Sequence, residues 1–131
     1  MAIDTTTEVA RAYYDSWKDG RGHFDAARLR SLLAPDLVFD GPLAGHRIGA
    51  DGFLKGLADF ADSVTSFQLV SEVRDGDQAA YLYDCDLVGR PARLRFAEFL
   101  RISGGRIQSI TLLYDKADFL NSTQLNSTQL K

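Results

Sequence analysis

Few side chains in this 131-residue chain are placed to do acid–base chemistry from inside a fold, and Glu98 stands out among them. From Leu94 to Ile102 the residues alternate: Leu94, Phe96, Leu100 and Ile102 share one face, and Glu98 lies in the middle of it. Arg93, Arg95, Ala97, Phe99 and Arg101 occupy the other face. Side chains on a strand alternate with period two, so Glu98 points wherever the four apolar residues point. An acid in such company is either paired or lines a cavity where lost solvation raises its pKa, which makes it a candidate proton carrier. Arg93, Arg95 and Arg101 face the wrong way to pair with it, so an ionic partner would come from elsewhere, Arg47 or Arg11.

Two further residues could share that chemistry. Asp40 ends an apolar segment just before Gly41-Pro42, where it is either a turn-initiating carboxylate or a general base at a cavity mouth. Tyr13 either packs in the core or donates its phenol to a ligand oxygen, while Tyr14 and Trp17 read as packing or cavity wall. His46 in a glycine-flanked loop and His23 in an interhelical turn read as exposed or structural. Cys85 has no evident histidine to activate it as a nucleophile.

The elements that must position these groups fall into two runs. Thr5-Thr6-Thr7-Glu8 is a capping-box pattern, and Val9, Ala10, Tyr13 and Trp17 then recur at helical spacing as far as Gly20. Asp25 caps a second short helix with Leu29, Leu32 and Leu33 inward, stopped by Pro35. Residues 37–40 form a brief strand, 43–49 a loop, and Asp51 starts a third helix carrying Phe53, Leu54, Leu57, Phe60, Ala61 and Val64. After Thr65 the period turns to two, predicting strands over 67–73, 78–88, 92–102 and 106–115. Their short turn-like connections require antiparallel pairing. Tyr81, Tyr83 and Cys85 share one strand face, lining a cavity or covering a dimer interface, opposite Leu82, Asp84 and Asp86. Three helices followed by such a meander is an α+β arrangement, and strands this long favour a strongly curved sheet that encloses space.

Composition narrows the function classes. With 45% hydrophobic residues the chain can bury a sizeable core, and residues 1–120 read as a single domain. A net charge of −3 gives no electrostatic reason to bind nucleic acid or an anionic membrane. One cysteine excludes an intrachain disulfide, and two histidines without ligand spacing give no metal site. The polar N-terminus lacks the layout of a signal peptide, so a cytoplasmic location is expected. Residues 121–131 contain a tandem duplication, Asn121 to Leu125 repeated as Asn126 to Leu130, and read as a polar extension.

Phe39-Asp40-Gly41-Pro42, Gly45-His46-Arg47-Ile48-Gly49 and Tyr114-Asp115, in this order around the helix and strand pattern, resemble the nuclear transport factor 2-like superfamily. That group includes SnoaL-like polyketide cyclases, ketosteroid isomerases and limonene epoxide hydrolases. Leu69 to Arg74 and Ala79 to Tyr83 look like two strands of ketosteroid isomerase. The resemblance implies a cone-shaped fold: three N-terminal helices packed on a strongly curved, mainly antiparallel sheet. It implies Tyr13 as catalytic tyrosine, Asp40 as proton shuttle and Glu98, in place of an aspartate, as the acid hydrogen-bonding the oxyanion. A carboxylic acid kept neutral by apolar surroundings is that enzyme's documented device. The expected function is a cofactor-independent isomerase or cyclase acting on a small apolar carbonyl compound. Trp17, Phe53, Leu57, Phe60, Tyr81, Tyr83, Phe96, Leu112 and Tyr114 would be its ligand-binding wall, and a homodimer its expected assembly. A non-catalytic ligand-binding domain is the alternative. An epoxide hydrolase is a weaker one, since Asp84 stands where that group's arginine is needed and Leu112 where its second acid would be.

Overall fold

The computed structural model describes residues 5–90, 93–117 and 119. The chain runs α1 (Thr5–Asp15), α2 (Ala26–Leu32), β1 (Leu33–Gly41), β2 (Gly45–Ile48), α3 (Ala50–Ser63), β3 (Val64–Asp75), β4 (Gln78–Leu87), β5 (Leu94–Ser103) and β6 (Arg106–Tyr114). The strands form one six-stranded sheet in the order β2-β1-β6-β5-β4-β3. All neighbours are antiparallel except β1 and β6, which run parallel. The sheet is mixed and unclosed, with three helices, the α+β cone that the periodicity and the resemblance imply.

Several boundaries differ from the sequence expectations, among them the start of β3, which takes Val64 from the end of the third helix. α1 ends at Asp15 rather than near Gly20, because Trp17 donates its backbone N–H to Tyr14 O (3.1 Å), a tighter i→i−3 turn. β1 begins at Leu33, so the first strand is longer than residues 37–40. The stretch after Pro42 is not all loop: β2 pairs with β1, setting Arg47 opposite Phe39 and His46 opposite Asp40. A four-residue strand with every residue exposed carries no burial pattern for sequence reading to detect. The expected turn at Gly89-Arg90-Pro91, the strand start at Ala92 and the duplicated tail lie wholly or partly outside the described residues.

Helix placement follows from local chemistry and apolar faces. The Asp25 side chain accepts from the Arg28 N–H at 3.0 Å, a cap worth about 1 kcal/mol. α1 buries Val9, Ala10, Tyr13 and Tyr14, and α3 buries Ala50, Leu54, Leu57 and Ala61. The turn after α1 passes so close to the start of β3 that a side chain at Gly20 would strike the Val64 carbonyl; Gly20 also has φ +83°. β4 alternates buried with half-buried and β5 mostly buried with exposed residues, with Ala79, Tyr81, Tyr83, Cys85 and Leu87 facing the helices beside Leu94, Phe96, Glu98, Leu100 and Ile102. Among the described residues no helix is long and apolar enough to cross a membrane.

Candidate active site

Glu98 is 2% exposed. Its neighbours in register are Tyr81 on β4 and Leu112 on β6, with Tyr83 one diagonal step away. α1 crosses above this point and contributes two adjacent tyrosines. The Tyr13 hydroxyl donates to Glu98 Oε2 at 3.0 Å. Tyr14 and Tyr83 donate to Oε1 at 2.8 and 3.0 Å. One carboxyl is therefore held by three phenols. Neither arginine considered as its partner takes that role: Arg11 pairs with Glu72 at 3.0 Å, and Arg47 donates through Nε to the Ala44 carbonyl at 2.9 Å.

The electrostatics follow from neutral rather than charged partners. Burial pushes the Glu98 pKa up, and the hydrogen bonds from Tyr14, Tyr13 and Tyr83 pull it partly back; the net direction is up. Burial, then the neighbouring Glu98 charge, pushes Tyr13, Tyr14 and Tyr83 well above the usual phenol value, so all three stay protonated donors. The Cys85 thiol is pushed up to about 12, first by burial, which makes it a poor nucleophile.

Beside this cluster lies a cavity of about 610 Å³. Tyr13, Tyr83 and Glu98 form its polar end, and Trp17, Phe39, Phe53, Phe60, Phe96 and Tyr114 supply most of its aromatic wall. Leu57 and Leu112 also line it. Such a chamber suits a small apolar molecule carrying few polar groups. Tyr81 does not line it. It is buried against Tyr14, with ring centroids 4.7 Å apart, and lies opposite Glu72 in register.

Asp40 is also absent from the cavity lining. Phe39 and Gly41 line it, and Asp40 between them points to the opposite side of β1. Its side chain is 47% exposed and lies 2.8 Å from His46 Nδ1. The structure therefore does not bring Asp40 into the cavity with Glu98 and Tyr13. The alternation of Leu37 and Phe39 with Val38 and Asp40 carries the signal for this, the same period-two reasoning that locates Glu98. Tyr14, read from sequence only as packing or wall, proves to be a direct partner of the acid. Its adjacency to Tyr13 on one helix conceals this, because consecutive helical residues normally face different ways. Among the described residues no His, Cys, Asp and Glu cluster is arranged to hold a metal ion.

Residues 10–110 match the SnoaL-like domain model. No curated protein matches the chain. A crystal structure of a protein from Kribbella flavida DSM 17836 has 26% identity and a TM-score of 0.81, covering 92% of this chain and 95% of that one. A second protein from that organism, provisionally assigned as a ketosteroid isomerase, has 22% identity and a TM-score of 0.71, over 87% and 80% of the two chains. IdmH of Streptomyces antibioticus, provisionally assigned as a polyketide cyclase, has 21% identity and a TM-score of 0.70, over 91% and 98%. The last two likenesses are of fold. With a family model spanning most of its length and a cone of this topology, the chain belongs to the SnoaL-like family, within the nuclear transport factor 2-like superfamily.

Proposed function

We propose that the chain is a cofactor-independent enzyme that moves a proton on a small, largely apolar carbonyl compound, with Glu98 as its acid–base group. The observation that carries this reading is the asymmetric grip on that carboxyl. Oε1 accepts from Tyr14 and Tyr83, whereas Oε2 accepts from Tyr13 alone, and Tyr13 and Glu98 both line the cavity. Oε2 retains capacity to take a proton. Burial makes the carboxylate a stronger base than an exposed glutamate, and the hydrogen bonds from the phenols offset part of that rise.

The proton and electron bookkeeping closes within the cluster. The carboxylate takes the proton alpha to the carbonyl, and the C–H electron pair moves into the enolate. A neutral carboxyl no longer needs three donors, so the Tyr13 hydroxyl is released to hydrogen-bond the enolate oxygen, a preorganised donor in a dry site. Returning the proton to a different carbon gives isomerisation. Attack of the enolate carbon on a second carbonyl of the same molecule, with Glu98 protonating the resulting alkoxide, gives aldol cyclisation. This assignment moves the base from Asp40 to Glu98.

The outward position of Asp40 also favours a second reading, a non-catalytic domain that holds an apolar ligand and uses Glu98 and Tyr13 only to orient it. Nothing favours epoxide hydrolysis: Asp84 and Asp86 pair with Arg95 and Arg93 away from the cavity, and Leu112 lines it.

Incubating the protein with 2-acetylnaphthalene in D2O separates the readings. Exchange of the methyl protons, followed by NMR, should be accelerated by the wild type and by Asp40→Asn. Glu98→Gln should lose the acceleration, and Tyr13→Phe should lose most of it. Binding without exchange would support the ligand-holding reading instead, and absence of binding would overturn both.

A further inference from the structure

We infer that the cavity takes an anionic ligand, a carbonyl compound bearing a carboxylate or similar group at the end remote from Glu98, and that Arg47 recognises that group. This inference rests on reading the cavity as a ligand site and adds to it the second polar feature of the substrate.

Arg47 is the one cationic side chain among the described cavity-lining residues, whose wall is otherwise almost wholly apolar. Its Nε is fixed by the Ala44 carbonyl at 2.9 Å. Its terminal nitrogens have no hydrogen-bond or ionic partner among the described residues, so the planar end of the guanidinium is available. Arg11, Arg21, Arg30, Arg93 and Arg95, by contrast, are each paired with a carboxylate. Among the described residues no carboxylate lies within ion-pair distance of Arg47. A guanidinium presents parallel N–H donors that match a carboxylate, and a cation held at a chamber wall selects for such a partner.

The sheet register sets the distance between the two polar ends. Glu98 lies opposite Leu112 on β6, and Arg47 lies opposite Phe39 on β1, which is itself opposite Ile110 on β6. From β5 to β2 is three inter-strand steps, about 14 Å of backbone separation. A single carbonyl group cannot engage both ends. A molecule of two or more fused rings, with its carbonyl at Glu98 and Tyr13 and its anion toward Arg47, spans most of that separation through the aromatic part of the chamber.

The test compares 6-acetyl-2-naphthoate with 2-acetylnaphthalene by calorimetric or fluorescence titration. The wild type should bind the carboxylate about five- to tenfold more tightly at low salt, a preference that shrinks as ionic strength rises. Arg47→Gln should erase the preference, bringing the affinities for the two probes together; Arg47 is exposed, so the variant should fold. Arg101→Gln, on the other face of β5, should keep it. Equal affinities in the wild type, or a preference that survives Arg47→Gln, would overturn this inference and leave the proton-transfer reading standing. Failure of both probes to bind would overturn the cavity reading itself.

Discussion

The two faces of β4 and β5 treat the same functional group in opposite ways. On the helix-facing side Glu98 meets three neutral phenols, and burial pushes its pKa up. On the outer side Asp84 meets the Arg95 guanidinium at 2.8 and 3.0 Å, and Asp86 meets that of Arg93 at 3.2 and 3.1 Å. These arginines hold both aspartates below the usual carboxylate range, with Ser66 adding to the effect on Asp86. Alternation along the strand, with Tyr83 inward and Asp84 outward, makes the difference. An acid matched by a cation is settled as a charge. An acid matched only by hydrogen-bond donors can still gain or lose a proton at modest free-energy cost, which is the property a catalytic carboxyl needs.

The largest effect that would sharpen this contrast comes from deleting the inner acid. Glu98→Ala leaves three buried phenols without their common acceptor and should destabilise the fold by on the order of 3 kcal/mol, read by urea unfolding. Loss near zero would mean that the phenols find other partners and that the cluster is not a unit. Removing one donor should cost less. Tyr14→Phe should lower stability by roughly 1–2 kcal/mol and raise the Glu98 pKa further, observable by NMR titration. Tyr14 does not line the cavity, so its ligand contacts should be unaffected.

The pH dependence has a definite sign. A carboxyl whose folded-state pKa is raised binds more protons in the folded than in the unfolded chain between its ordinary value and the raised one. Its burial therefore costs stability increasingly as pH rises through that window. Compared with Glu98→Gln, the wild type should be relatively most stable below the window and lose ground above it. A flat difference between the two unfolding curves would show that Glu98 titrates normally. The outer acids have the opposite sign: their contribution is present above the ordinary carboxylate range and fades on acidification. With their guanidinium groups open to solvent, those pairs should matter least. Arg95→Ala should change stability by no more than about 1 kcal/mol, less at high salt.

How much was legible beforehand depended on whether burial followed a simple period. β4 and β5 alternate cleanly, so the inward direction of Glu98 could be read from residue types alone, whereas for Tyr81 and Tyr83 they gave a shared face without deciding between cavity and interface. β2 is short and exposed throughout, and nothing in its composition separates it from a loop. Asp40 shows how a resemblance and an alternation can disagree: a matching motif suggested the cavity, while its neighbours Leu37 and Phe39 pointed to the other side. Tyr81 shows the opposite limit. It shares the helix-facing side with Tyr83, but a residue facing the helices reaches the cavity only where no helix covers it, and α1 covers Tyr81.

The amino-acid order by itself determined the helices, the antiparallel meander and the presence of one acid on an apolar face, because those features depend on local propensity and on the fixed periods of helix and strand. It could not determine what that acid would touch. Tyr13 and Tyr14 lie 85 and 84 residues from Glu98 along the chain, and only the crossing of α1 over β5 brings all three together. The same holds for the cavity, which exists because the curved sheet and α3 stand apart beside that crossing. Long-range packing, set by how whole apolar faces fit, turned a costly buried carboxyl into a shared, titratable group.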